Sequence, residues 1–133
     1  MPGARELLDE ARIQKIPLGL VSASPRVLVD ATLANLGPGV FAVSVSSSDV
    51  SKSKPDPESY LFAASQLGVD ISQALILEDS LTGISSARAS GAWVLAIPHI
   101  VEVDEDSRTV VVDSLVDCTL AKISSLFTER MDL

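Results

Sequence analysis

Five short apolar runs set the strongest limit on what this chain can fold into: Ile16–Val21, Val40–Val45, Ala74–Leu77, Trp93–Ile97 and Thr109–Val112. Each is nearly continuous in hydrophobicity rather than alternating with polar residues, the pattern of a strand covered on both faces. Helix-like stretches separate them. Residues 3–15 carry Leu7, Leu8 and Ala11 on one face, and residues 25–36 carry Val27, Leu28, Ala31 and Leu36 ahead of Gly37 at a C-cap position. Residues 57–67 follow Asp56-Pro57, an N-cap and a first-turn proline, and stop before Gly68. Residues 81–90 stop before Gly91, and residues 114–127 close the series with Ser114 as the expected N-cap. The order helix–strand–helix–strand–helix–strand–helix–strand–strand–helix predicts an α/β fold: a three-layer α/β/α, Rossmann-like core with a mainly parallel sheet and helices on both faces.

Composition narrows what such a fold can do. A length of 133 residues suits one core over 1–133, since single cores run to ~100–150 residues. With 47% apolar and 21% charged residues the chain has enough to bury. No apolar run reaches the ~18 residues that span a bilayer, and Met1-Pro2-Gly3-Ala4-Arg5-Glu6 lacks a signal-peptide pattern. The net charge of −8 argues against a nucleic-acid partner. The single cysteine, Cys118, cannot close an internal disulfide, and the single histidine, His99, cannot build a His-rich metal site. The expectation is a soluble, acidic, cytoplasmic protein with no nucleic-acid or membrane partner. The one charge run, Glu102–Asp106, reads as a solvated connection. Trp93 reads as strand packing, Cys118 as a buried helix position, and His99 as structural, exposed or near a site rim.

In open α/β sheets ligands gather at the carboxyl ends of the strands, and three polar groups follow apolar runs. Ser22-Ala23-Ser24-Pro25 ends a strand and enters a helix; hydroxyls and backbone N–H groups there form an anion cradle, with plain helix capping as the alternative. Lys54, in Ser51-Lys52-Ser53-Lys54-Pro55-Asp56-Pro57-Glu58, precedes a capped helix with Pro55 restricting its backbone. A lysine so held is a fixed charge for a phosphate or for crowded carboxylates; the alternative, a solvated lysine, fits Lys52 better. Glu78 and Asp79 end a buried strand, where adjacent carboxylates are costly without compensation. Mg²⁺ is the natural compensation. The alternative has Asp79 capping the next helix and Glu78 facing solvent.

Hydroxyl, lysine and acidic pair, each after its own strand, resemble the haloacid dehalogenase-like (HAD) phosphohydrolases, in the branch of beta-phosphoglucomutase and phosphoglycolate phosphatase. Ser22 matches the second family motif, Lys54 in Lys-Pro-Asp-Pro-Glu the third, and Glu78-Asp79-Ser80 with Gly83, Ala87 and Gly91 the fourth, in the long form Glu-Asp-Ser-x-x-Gly-x-x-x-Ala-x-x-x-Gly. The likeness runs from Pro2 to about Phe127. It implies a Mg²⁺-dependent phosphatase or phosphomutase working through an aspartyl-phosphate on a small phosphorylated metabolite. Ser22 and the N–H of Ala23, with Ser24 beside them, would bind the phosphoryl oxygens. Lys54 would offset charge between nucleophile and phosphate, and Glu78 and Asp79 would hold Mg²⁺, roles that suit a reaction governed by positioning and charge.

The first family motif, Asp-x-Asp-Gly, has no counterpart. Asp104-Glu105-Asp106 has the spacing but follows the fourth motif and closes no buried strand. The resemblance implies that the chain begins where a cap domain hands back to the core, as a C-terminal portion without cap or central first strand. The nucleophile, the acid/base and one metal ligand go with that strand. The strands ending at Ser22 and Asp79 must then either leave a gap or pair directly. The chain alone is expected to be inactive, its missing strand removed by truncation or supplied by an N-terminal fragment in trans. The other reading is a non-catalytic domain that binds a phosphorylated ligand or a protein partner, with a strand-pairing homodimer as one form.

Overall fold

The computed structural model describes residues 2–98 and 102–131, so His99 lies outside the described residues. The elements follow the expected order: α1 (Ala4–Ile13), β1 (Gly19–Val21), α2 (Arg26–Leu36), β2 (Val43–Val45), α3 (Glu58–Leu67), β3 (Leu75–Glu78), α4 (Leu81–Ser90), β4 (Trp93–Ala96), β5 (Thr109–Val111) and α5 (Leu120–Met131). Short 3₁₀ turns at Ser47–Asp49 and Ile71–Gln73 precede α3 and β3.

All strand pairs are parallel, but the sheet is split. β1 pairs with β2, and β3–β4–β5 form a second group in that order. Among the described residues no ladder joins β1 to β3, so the gap, not direct pairing, is the outcome. Hydrogen-bond parity identifies the unpaired edges. Ala42 N donates to Leu18 O and Ser22 N to Val45 O, so Gly19 and Val21 turn their backbone groups away from β2. Trp93 N donates to Ala74 O and Ile97 N to Glu78 O, so Leu75 and Leu77 turn theirs away from β4.

The three-stranded group is covered on both sides, as its continuous apolar runs require. Leu95, Ile97 and Val110 pack with Leu7 of α1 and Ile123 and Phe127 of α5 on one face; Ile76 and Val94 pack with Tyr60 of α3 and Ala87 of α4 on the other. Trp93 is strand packing, as expected: its ring meets Phe127 edge-on at 5.4 Å, and the Arg108 guanidinium stacks 3.9 Å from it. The N-terminus of α1 docks through Gly3, whose positive φ and backbone contact with Leu115–Val116 leave no room for a Cβ.

Three local expectations need correction. In α2 the inward face is Val29, Leu33 and Leu36, a helical i, i+4, i+7 row; Val27 and Leu28 are 73% and 56% exposed, and Ala31 is also exposed. The last helix starts at Leu120, not at Ser114. Ser114 Oγ accepts from Val116 N, Leu115 is buried, and Asp117 has φ 62°, so a turn fills that stretch. Cys118 is buried, but in this turn rather than in a helix. The acidic loop is largely exposed as expected, yet it is held: Arg88 binds the Asp106 carboxylate and Asp104 O, and Glu105 accepts from Val111 N on the outer edge of β5. That loop covers an edge that would otherwise be open.

Candidate functional site

The three polar groups stand at the carboxyl ends of β1, β2 and β3. Asp56 Oδ1 accepts from Glu58 N, the first residue of α3; the N-cap position is Pro57, one residue later than expected, and carries no side-chain cap. Ser86 Oγ of α4 donates to Asp56 O at 2.7 Å and ties the loop to the neighbouring helix. Lys54, at the front of this loop, is thereby fixed rather than solvated, whereas Lys52 is exposed.

Lys54 Nζ donates to the Glu78 carboxylate and, at 3.2 Å, to Val21 O. Val21 O is one of the carbonyls that β1 turns away from β2, so the ammonium group links the carboxyl ends of the two separated strand groups. Both side chains of the ion pair are nearly buried, at 9% and 8% exposure. The Tyr60 hydroxyl donates to the same Glu78 oxygen, Oε1, and the ammonium lies 5.0 Å from the Tyr60 ring centroid. Burial first, and the Glu78 charge second, push the Tyr60 phenol far above its ordinary ionisation range, so it stays a donor. Ser80 Oγ lies 3.5 Å from Oε2. Glu78 therefore does not face solvent, and the residue capping α4 is Ser80, which accepts from Gly83 N at 3.1 Å, not Asp79.

Gly83 has a function of its own. A Cβ built there falls inside the Glu78 carboxylate. Glycine-to-alanine in a helix ordinarily gains up to about 1 kcal/mol. Gly83→Ala is instead expected to lower stability in chemical denaturation, because the carboxylate must leave Lys54 and Tyr60. In a Glu78→Ala background the same substitution is expected to become stabilising. A gain in the unaltered chain contradicts the placement of Glu78.

The Ser22 loop is held from the β2 side. Ser22 N donates to Val45 O, Ser24 N to Ser22 Oγ at 3.0 Å, and Ser47 N to Ser24 O. Ser22 Oγ accepts that local bond and keeps its own proton to donate. Ala23 is exposed, and Pro25 leads into α2 without a side-chain cap. Lys54 and Glu78 thus touch directly, and Ser22 is joined to them through the carbonyl of the residue before it.

Two groups were not legible as site residues. Tyr60 is one. The other is a clamp between α2 and the loop after β2: Arg26 binds Asp49, Asp30 and Ser44, and Ser48 Oγ accepts from Arg26 N. Asp49 also accepts from the hydroxyl and N–H of Ser46, both at 2.7 Å. The Ser46 hydroxyl, then its N–H, then Arg26 lower the Asp49 pKa from the ordinary 3.8 to about 2. A carboxylate depressed on folding stabilises the fold above its unfolded pKa and loses that contribution as pH falls through the folded value. The clamp is therefore expected to stay closed through about pH 4 and to open near pH 2, its contribution to stability fading between the two. Carboxyl ¹³C NMR checks this; an Asp49 midpoint near 4 contradicts it.

Hydroxyl, fixed ammonium and acidic pair thus stand at the strand ends of a parallel α/β fold. The haloacid dehalogenase-like hydrolase family matches residues 1–91, and the chain belongs to this family. Its relatives include named phosphatases. The chain is 38% identical over 96 residues to validoxylamine A 7'-phosphate phosphatase of Streptomyces hygroscopicus subsp. limoneus, covering 71% of this chain and 45% of that one. It is 32% identical over 127 residues to hexitol phosphatase B of Escherichia coli K12, covering 95% and 54%. The crystal structure of CbbY from Rhodobacter sphaeroides in complex with phosphate superimposes with a TM-score of 0.81 at 27% identity, over 92% of this chain and 58% of that one. The chain spans about half the length of the curated relatives it matches. No described helix is long and apolar enough to cross a membrane.

Proposed function

We propose that residues 1–133 are the phosphate- and cation-binding portion of a Mg²⁺-dependent phosphatase or phosphomutase acting on a small phosphorylated metabolite, and that this portion alone is inactive. The observation that carries the reading is Lys54, buried between β1 and β3 and bound at once to Val21 O and Glu78. A buried ammonium at strand ends, beside a hydroxyl-bearing loop, suits a phosphoryl group flanked by carboxylates.

Ser22 would donate its hydroxyl to a phosphoryl oxygen, with the N–H of Ala23 and the Ser24 loop shaping the cradle. Lys54 would hold the phosphoryl group against the charge of an attacking carboxylate. Glu78 and Asp79 would supply the acidic share of a Mg²⁺ site. No group of three or more metal-binding side chains occurs among the described residues. Two adjacent carboxylates still fit this ion, which takes one or two from protein and completes its shell with water and phosphate oxygens. Bound there, Mg²⁺ would neutralise phosphate charge.

The nucleophile and the acid/base belong to an Asp-x-Asp strand that these residues do not contain. The backbone groups that Gly19, Leu75 and Leu77 turn away from their ladders, with the N–H of Val21, meet no strand among the described residues and give such a strand two parallel edges to join, in cis or as an N-terminal fragment in trans. The same open edges favour a second reading, a non-catalytic domain that pairs with a protein partner or a second copy through them.

Inorganic phosphate titrated into the chain by calorimetry with Mg²⁺ present tests the site. Saturable binding that is lost in Lys54→Met and weakened in Ser22→Ala is the expected result. Binding indifferent to both substitutions rejects the assignment.

A further inference from the structure

We propose that Tyr60 is a positioning residue for the acidic pair: its hydroxyl fixes the orientation of the Glu78 carboxylate and so presents the pair to a divalent cation. This rests on the reading of Glu78 and Asp79 as the cation-binding pair. Tyr60 is the only tyrosine of the sequence, in the first turn of α3, and it is 7% exposed. Its ring packs with Ile76, Ala87 and Val94, and its hydroxyl emerges from that apolar cluster onto Glu78 Oε1.

The geometry around the carboxylate is one-sided. Oε1 receives both strong donors, the Tyr60 hydroxyl and the Lys54 ammonium. Oε2 receives, among the described residues, the 3.5 Å contact from Ser80 Oγ. A Cβ at Gly83 would stand nearest Oε2, so that oxygen packs against the start of α4. With Oε1 held by its donors and Oε2 against Gly83, the carboxylate keeps one orientation beside Asp79. Lys54 gives less direction, because its ammonium is a point charge shared here between Glu78 and Val21 O. The phenol is a neutral donor on a rigid, packed ring. It orients the carboxylate without adding a positive charge that would compete with the cation. Partners of this kind around metal ligands change metal affinity by about 10–100-fold when removed.

Tyr60→Phe keeps the ring in its cluster and deletes only the donor. Mn²⁺ is titrated into the full chain, with free ion followed by electron paramagnetic resonance, for the unaltered protein, Tyr60→Phe and Asp79→Asn. The Glu78 side-chain carboxyl is followed by ¹³C NMR in the metal-free protein. The expected result is saturable binding by the unaltered chain, loss in Asp79→Asn, about tenfold weaker binding in Tyr60→Phe, and a displaced Glu78 carboxyl signal in that variant. Equal Mn²⁺ affinity in Tyr60→Phe, or an unmoved carboxyl signal, overturns the positioning role while leaving the cation site intact. Absence of saturable binding by the unaltered chain, or its survival in Asp79→Asn, overturns the cation site and the positioning role with it.

Discussion

Lys54→Met is expected to destabilise the chain by about 3 kcal/mol, the low end of the range for removing one partner of a buried ion pair. Its methylenes and those of methionine occupy similar space, so the loss is electrostatic rather than a packing defect. It leaves the Glu78 carboxylate nearly buried at 8% exposure, with the Tyr60 hydroxyl and the distant Ser80 hydroxyl as its remaining donors. It also removes the link between Val21 O and β3, the contact that ties the separated strand groups at their carboxyl ends. Against a total stability of about 5–15 kcal/mol for a domain of this kind, the change is large. The ion pair itself need not be a net source of stability, because burying both charges costs nearly as much as their attraction returns. Lys54→Met combined with Glu78→Gln should accordingly recover most of the loss, with a coupling of about 2 kcal/mol between the positions. Urea unfolding of the four proteins measures it. A single-variant loss below about 1 kcal/mol, or strictly additive losses, contradicts a buried pair.

The order of elements was legible because strands covered on both faces cannot alternate, and the runs at Ile76 and Val94 therefore stood out from the periodic helices around them. The ends were less legible. In α2, Val27, Leu28 and Val29 are consecutive and equally apolar, so the sequence does not say which of them points inward; the structure buries Val29 and leaves the other two exposed. The turn at 115–117 is set by Leu115 burying itself against the chain near Gly3, a contact more than a hundred residues away in sequence. Within the site, Lys54 and Glu78 were legible because a lysine locked by prolines and an acid ending an apolar run are both expensive without partners. Tyr60 was not, since one phenol in an amphipathic first turn looks like any core aromatic. The available signal was Gly83, a small residue in a helix at the distance where a strand-end carboxylate needs room. Arg26 and Asp49 escaped for a different reason: the two lie on separate elements, and no local pattern pairs them.

Activity is expected to depend on an added strand by orders of magnitude. A carboxylate nucleophile splits phosphoryl transfer into two easier steps, and within residues 1–133 no Asp-x-Asp ends a buried strand. Asp104 and Asp106 cannot substitute for it. They lie on the loop that covers the outer edge of β5, where Arg88 holds the Asp106 carboxylate and Asp104 O. What the chain does provide is Lys54, Glu78 and the Ser22 hydroxyl around a gap between β1 and β3, flanked by strand edges that no other strand pairs among the described residues. An apolar strand ending in Asp-x-Asp-Gly, joined in cis or added as a fragment, would complete a continuous parallel sheet and set its first carboxylate beside Lys54. The deciding measurement is Mg²⁺-dependent hydrolysis of an aryl phosphate, sugar phosphates and phosphoglycolate by the chain alone, by the chain with that strand, and by the Lys54→Met form of each. The expected result is no turnover by the chain alone and Mg²⁺-dependent turnover with the strand, abolished by Lys54→Met. Turnover by the chain alone that Lys54→Met abolishes contradicts a half-built site.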